Sequence, residues 1–148
     1  MEDYQVLQLK SEDIDKVWVG VEPLIQDALD SMSIGGQNIF NYLNTGDYYE
    51  WARKDLLQIF IVVEDKQIKL ITLTQLLPHP RFKVLEYLMT SGKGLKKFSE
   101  RLVQTIEDFA IAEGCKRLMV TAPKGVVGYL KDWEELKDRH KITLMKEL

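Results

Sequence analysis

The sequence predicts an α/β fold of the mixed, α+β kind: one central sheet, mostly antiparallel and of about six strands, with helices on both faces. Three observations predict it. Gln58–Val63 and Gln67–Leu76 are runs rich in Ile, Val, Leu and Thr on either side of Glu64-Asp65-Lys66, the pattern of an antiparallel hairpin. Lys83–Val120 reads as strand, glycine turn, long helix and strand, and such a unit needs a parallel pair joined by a right-handed crossover. The 148 residues, 45% hydrophobic and 29% charged, contain no linker, repeat or low-complexity tract, so residues 1–148 are expected to form a single domain with a sizeable core.

Tyr4–Leu9, with Val6 between polar neighbours, is a short first strand. Ser11 is a candidate N-cap for a helix whose apolar positions are Ile14, Val17, Val21, Leu24, Ile25, Ala28 and Met32. Pro23 removes a backbone donor inside that pattern, which predicts a kink or restart near Gly20–Glu22. Ser33-Ile34-Gly35-Gly36 breaks the helix, and a second, shorter one is expected over Gln37–Leu43, ending near Asn44-Thr45-Gly46. Asp47–Trp51 carries Tyr48, Tyr49 and Trp51 close to Arg53 and Lys54. Such a stretch either lines a substrate groove and stacks on a base, or is a loop packed on the core.

In the second hairpin strand the apolar positions run Ile68 and Leu70, then Ile71 and Leu73. The face swaps midway, which requires a bulge or burial on both sides. Pro78-His79-Pro80 is a rigid turn into a fourth strand, Lys83–Met89, and places His79 in an exposed loop. Leu95, Phe98, Leu102, Ile106, Phe109 and Ala110 recur at helical spacing over Leu95–Glu113, and Gly114 falls where a left-handed C′ residue is wanted. Lys116–Val120 is a compact fifth strand. Thr121-Ala122-Pro123-Lys124-Gly125 then turns into a short helical piece with Val126, Val127, Tyr129 and Leu130. Trp133–Lys141 is a solvated, charged face, and Ile142–Lys146 a last strand. His140 has no Cys, His or Asp companions at ligand spacing, so no metal site is expected.

The turn Thr90-Ser91-Gly92-Lys93-Gly94 breaks a rule of helix charge. Lys96 and Lys97 occupy the first turn of the long helix, and Lys93 lies just upstream. A helix N-terminus carries about half a positive charge, so lysines there cost up to about 1 kcal/mol. A bound anion reverses that sign, and Gly92 and Gly94 let backbone N–H groups come close to a phosphate. The other reading is a plain surface turn with solvated lysines.

Composition narrows the class. A net charge of −3 argues against a general nucleic-acid binder, while a local basic patch still suits a polyphosphate. A weaker nucleic-acid reading uses Arg81, Lys83, Lys93, Lys96, Lys97 and the Tyr48–Trp51 aromatics, and predicts affinity that falls steeply with salt. The single cysteine, Cys115, excludes an intramolecular disulfide framework and fits a reducing compartment. Met-Glu-Asp-Tyr at the N-terminus has no signal-peptide character, and Leu56–Val63 is too short to span a bilayer. A soluble protein of the cytoplasm is expected, without a membrane partner.

The order of elements resembles the GCN5-related N-acetyltransferase (GNAT) superfamily over nearly the whole chain. Gly92-Lys93-Gly94 followed by Leu95 and Phe98, and Ala112-Glu113-Gly114-Cys115-Lys116-Arg117-Leu118-Met119-Val120, carry the resemblance. It looks closest to divergent acetyltransferase-like proteins of tailed phages, which often have a leucine, two residues and a glycine before the hairpin (here Tyr42-Leu43-Asn44-Thr45-Gly46) and Gly-Cys before the fifth strand. The resemblance implies a three-layer fold and acetyl-CoA as cosubstrate, with a small-molecule or protein amine as acceptor. The N–H groups from Ser91 through Gly92, Lys93, Gly94 and Leu95 to Lys96, with Lys97 nearby, would cradle the diphosphate. The main chain of Leu85–Met89, including Tyr87, would pair with the pantetheine arm where the fourth and fifth strands splay.

Tyr129 would be the acid for the leaving thiolate, or else a tyrosine packed on the core. Glu86, the one carboxylate inside the fourth strand, would be the base with a raised pKa, or else point to solvent. Two positions depart from the family's pattern. Met89 stands where Arg or Gln usually opens the turn, and Ala122-Pro123-Lys124 where an Asn usually starts the short helix; Pro123 has no N–H to offer. These departures support a different class of function: a GNAT-fold structural or interaction protein with weakened chemistry, for instance a component of a phage particle. Oligomeric state is not written in the sequence.

Overall fold

A computed structural model of the chain describes residues 3–31, 43–120 and 146. Five strands form one sheet in the order β1 (Tyr4–Leu9), β2 (Gln58–Glu64), β3 (Gln67–Pro78), β4 (Lys83–Gly92) and β5 (Cys115–Val120). The first three pairings are antiparallel, and β4 and β5 run parallel. That parallel pair is joined by α3 (Leu95–Ala112), the crossover that the strand–helix–strand reading demands. Residues 142–145 of the expected sixth strand, Ile142–Lys146, and the short helical piece with Tyr129 lie outside the described residues.

Two cores sandwich the sheet. On one face α1 (Ile14–Ser31) and α2 (Thr45–Arg53) bury Ile14, Val21, Ile25, Ala28, Tyr48 and Ala52 against Ile59, Ile61, Ile71, Leu73 and Met89. On the other, Phe98, Leu102, Ile106 and Ala110 of α3 pack on Tyr4, Phe60, Val62, Leu70 and Leu85. The helical spacing in the sequence and the strand alternation thus meet in three layers: helices, sheet, helix.

The face swap in β3 has a physical cause. Val62 pairs with Leu70 and Val63 with Ile68, so Lys69 is an extra residue, a bulge. Beyond it, Leu70 through Thr74 are all buried, because helices cover both faces of the sheet here. A second shift, between Leu73–Met89 and Thr74–Tyr87, makes Leu88 the extra residue of β4.

Three local expectations are corrected. α1 runs through Pro23 without a restart. The carbonyl freed by Pro23 belongs to Val19, whose side chain is 89% exposed, so water can satisfy it. Ser11 is the first residue of a tight turn, Ser11–Asp13, not a cap. Asn44-Thr45-Gly46 starts a helix instead of ending one: the Asn44 side chain accepts from the Asp47 N–H at 3.1 Å, and the Asn44 N–H donates to the Asp47 carboxylate at 2.9 Å. This reciprocal capping box stabilises the start of α2 by about 1 kcal/mol. The Tyr48–Trp51 stretch is therefore a helix on the core. Tyr48 is buried, and the Tyr49 hydroxyl donates to Asp15 of α1, which also receives Arg53 at 3.2 Å. The six-residue part of the expected earlier helix, 37–42, lies outside the described residues.

Candidate functional site

Among the described residues the β4–β5 ladder runs to Tyr87–Val120, Val120 being the last residue described on that stretch, and β4 continues along β3 to Gly92. Between β3, the end of β4 and the first turns of α3, the described residues line a cleft of about 150 Å³. Thr72, Tyr87, Thr90, Ser91, Leu95 and Val120 are among its lining residues. The N-terminus of α3 opens at its rim. The first intrahelical bond runs from the Phe98 N–H to the Gly94 carbonyl at 2.9 Å, so the amides of Gly94, Leu95 and Lys96 precede the helical ladder. Among the described residues no side chain caps this end, and its first turn carries no acid. Lys93 and Lys96 are exposed, and among the described residues neither has an ion-pair partner. A fixed dipole, unspent amides and two ammonium groups therefore converge at the rim.

Other parts of the expected cradle are otherwise engaged. The Lys93 N–H donates to the Lys69 carbonyl at 2.8 Å, held there by the bulge in β3. Ser91 and Gly92 belong to β4, opposite Ile71 and Leu70, instead of forming an open loop. A Cβ on Gly92 would come within 2.2 Å of the Lys69 carbonyl, and one on Gly94 within 2.5 Å of the Phe98 ring. Both glycines, with φ of +125° and +89°, are thus required by protein neighbours. Lys97 forms an ion pair with Glu64 and lies over the Tyr4 and Phe98 rings at 6.0 and 5.3 Å. Its charge is drawn to the β1–β2 side, away from the cleft.

Of the strand positions, Leu85 is fully buried under α3, and Met89 is buried on the opposite face, against the α1 side. β5 already pairs with Leu85, Glu86 and Tyr87 of the expected Leu85–Met89 stretch. Glu86 is half-buried between Gln75 and Met119, on the face opposite the cleft. Tyr129 lies outside the described residues.

Burial, with the Glu107 carboxylate adding, pushes the Tyr87 phenol far above the ordinary value of 10.0. The folded chain then keeps a proton that the unfolded chain releases, so this contribution to stability is complete below pH 10.0 and fades as pH climbs beyond it. Thermal melts from about pH 8 to about pH 11 are expected to fall more steeply for the wild type than for Tyr87→Phe. Equal slopes would uncouple the phenol from folding.

The sequence reading missed Thr72 and Thr90, whose hydroxyls meet 3.0 Å apart in the cleft. Their 18-residue separation hides the pair until β3 and β4 are in register. A larger hollow, about 440 Å³, opens at the other end of the sheet, near Gln8, Glu12, Asp55, Phe109 and Glu113. It is remote from the α3 N-terminus, so size does not mark the site. Among the described residues no cluster of His, Cys, Asp or Glu is placed to hold a metal, and no helix is long and apolar enough to cross a membrane.

The arrangement can be set beside known structures. The Brucella melitensis ribosomal-protein-alanine N-acetyltransferase superposes with a TM-score of 0.72 at 12% identity, over 97% of this chain and 100% of its own. An aminoglycoside acetyltransferase from an uncultured soil metagenomic sample, solved with sisomicin, gives 0.69 at 12% identity over 97% of each chain. A predicted acetyltransferase from Clostridium acetobutylicum, solved with acetyl-CoA, gives 0.66 at 14% identity over 96% of each. The fold is that of the GNAT acetyltransferases. No family model matches the sequence, and no curated protein is similar to it in sequence. At these identities the GNAT likeness concerns the backbone, and the chemistry rests on the residues themselves.

Proposed function

We propose that the protein is an acetyl-CoA-dependent N-acetyltransferase acting on a small-molecule or protein amine. The observation that carries this reading is the α3 N-terminus, uncapped among the described residues, flanked by Lys93 and Lys96 and opening on the cleft between β3, β4 and α3. The chemistry of this donor set, backbone amides and ammonium groups with no acid among them, suits a diphosphate. The amides of Gly94, Leu95 and Lys96 would hold it, and the main chain at the end of β4 would hold the arm. The coenzyme supplies the activated acyl group as a thioester. Glu86, on the face opposite the cleft, would take the proton from the amine as its nitrogen bonds to the acyl carbon, and Tyr129 would give one to the departing thiolate.

The amine acceptor is suggested by the named substrates of the structural neighbours, an aminoglycoside complex in one and a ribosomal protein's alanine in another. A second reading, a structural or interaction protein on this fold, such as a phage-particle component, is favoured by the commitments at Lys93, Gly92 and Lys97 and by Met89 being buried. Thermal shift with acetyl-CoA, CoA and ATP tests the two. Acetyl-CoA at one hundred times its Kd should add about 2.7 kcal/mol, with little response to ATP. No shift with acetyl-CoA or CoA favours the second reading.

A further inference from the structure

The strands stop unevenly at the end of the sheet away from the α3 N-terminus. β1 ends at Leu9, opposite Ile59, and β2 begins at Gln58, opposite Thr74, while β3 runs on to Pro78. The hollow of about 440 Å³ occupies the notch this leaves, a size in the range of small-molecule sites. Half-buried Leu9, Leu76 and Phe109 give it apolar walls over buried Ile59.

Charge around the notch is mostly of one sign. Glu12, Asp55 and Glu113 line it, all exposed, and none has an ion-pair partner among the described residues. Lys10 is the one cation among its lining residues. Two helices also end here. Glu113 is the C-cap of α3, whose last turn has no basic residue, and Asp55 directly follows Lys54, the C-cap of α2. Arg53, in the last turn of α2, is tied to Asp15 at 3.2 Å. A helix C-terminus carries about half a negative charge, so a carboxylate beside it costs up to about 1 kcal/mol unless a cation offsets it. Among the described residues the acids do not gather closely enough to hold a metal ion. Negative charge spread around apolar walls suits a molecule with a cationic head and an apolar body. We propose that this notch binds an organic ammonium ion with an apolar body, at a site separate from the α3 N-terminus. The inference does not rest on the acetyltransferase reading.

Calorimetric titration of the full chain with 2-phenylethylamine and with 2-phenylethanol, its uncharged counterpart, is the test. At low salt the amine is expected to bind at least about tenfold more tightly than the alcohol, and the difference should shrink as salt rises. Glu12→Gln/Asp55→Asn/Glu113→Gln should bring the amine down to the level of the alcohol. Asn tolerates the φ of +57° at Asp55, and no ion pair among the described residues is lost, so this variant should melt no lower than the wild type. Lys10→Ala should tighten amine binding. A wild type without preference for the amine, or a triple variant that binds it as the wild type does, overturns the inference. Amine binding is expected with or without acetyl-CoA, so this proposal and the acetyltransferase reading fail independently.

Discussion

Replacing Gly92 with Ala is expected to destabilise the protein by about 3 kcal/mol or more, close to abolishing the fold. The added Cβ would lie 2.2 Å from the Lys69 carbonyl and 2.8 Å from Leu70 Cα, both backbone atoms of a paired strand that no rotamer change can move. The same carbonyl receives the Lys93 N–H, so relief by shifting β3 breaks that bond and disturbs the bulge. Backbone strain adds to the collision, since φ is +125°. Gly114 is the control. Its φ is +82°, yet a Cβ there would meet nothing within 4 Å, so Gly114→Ala should cost only about 1 kcal/mol of conformational strain. Urea unfolding of the two variants reads the difference directly. Similar losses would mean that contact with β3 is not what fixes Gly92.

That result bears on how such a turn is read from sequence. Two glycines before a helix and three lysines around its start suggest a phosphate cradle, but glycine is equally demanded by a phosphate and by a neighbouring strand. The spacing is the same in both cases. Only the bulge at Lys69, which brings a β3 carbonyl against Gly92, separates them. A substitution at Gly92 therefore reports on folding before it reports on any ligand.

What was legible followed local periodicity. The α3 stripe from Leu95 to Ala110, the β2–β3 hairpin and the swap of faces in β3 each arise from spacing within one element, and each is present. What was not legible depended on distant partners. Lys97 is tied to Glu64, 33 residues away, and Thr72 to Thr90 across a strand pair. α2 was misread because Asn44-Thr45-Gly46 looks like a helix stop, whereas Asn44 and Asp47 at capping-box spacing make it a start. Of the two readings of its aromatic run, a groove or a loop packed on the core, the packing holds but on a helix, since Tyr48 and Ala52 share one helical face and are both buried.

Reversing two charges at the α3 entrance separates function from folding. In Lys93→Glu/Lys96→Glu both positions are exposed and have no ion-pair partner among the described residues, so the fold loses no contact there. Acids near a helix N-terminus interact favourably with its dipole, so the unliganded double variant should match or exceed the wild type by up to about 1 kcal/mol. Binding should move the other way. Two ammonium groups beside a diphosphate become two carboxylates, and affinity for acetyl-CoA should fall by about a hundredfold at low salt, less at high salt. Lys97→Glu gives the opposite pattern, because it sets a carboxylate against Glu64 and removes the cation from the Tyr4 and Phe98 rings. It should lower stability and change affinity far less. Melting curves with and without acetyl-CoA distinguish the two variants. A double variant that still binds like the wild type would take the diphosphate away from α3, and with it the reason for lysines at that helix start.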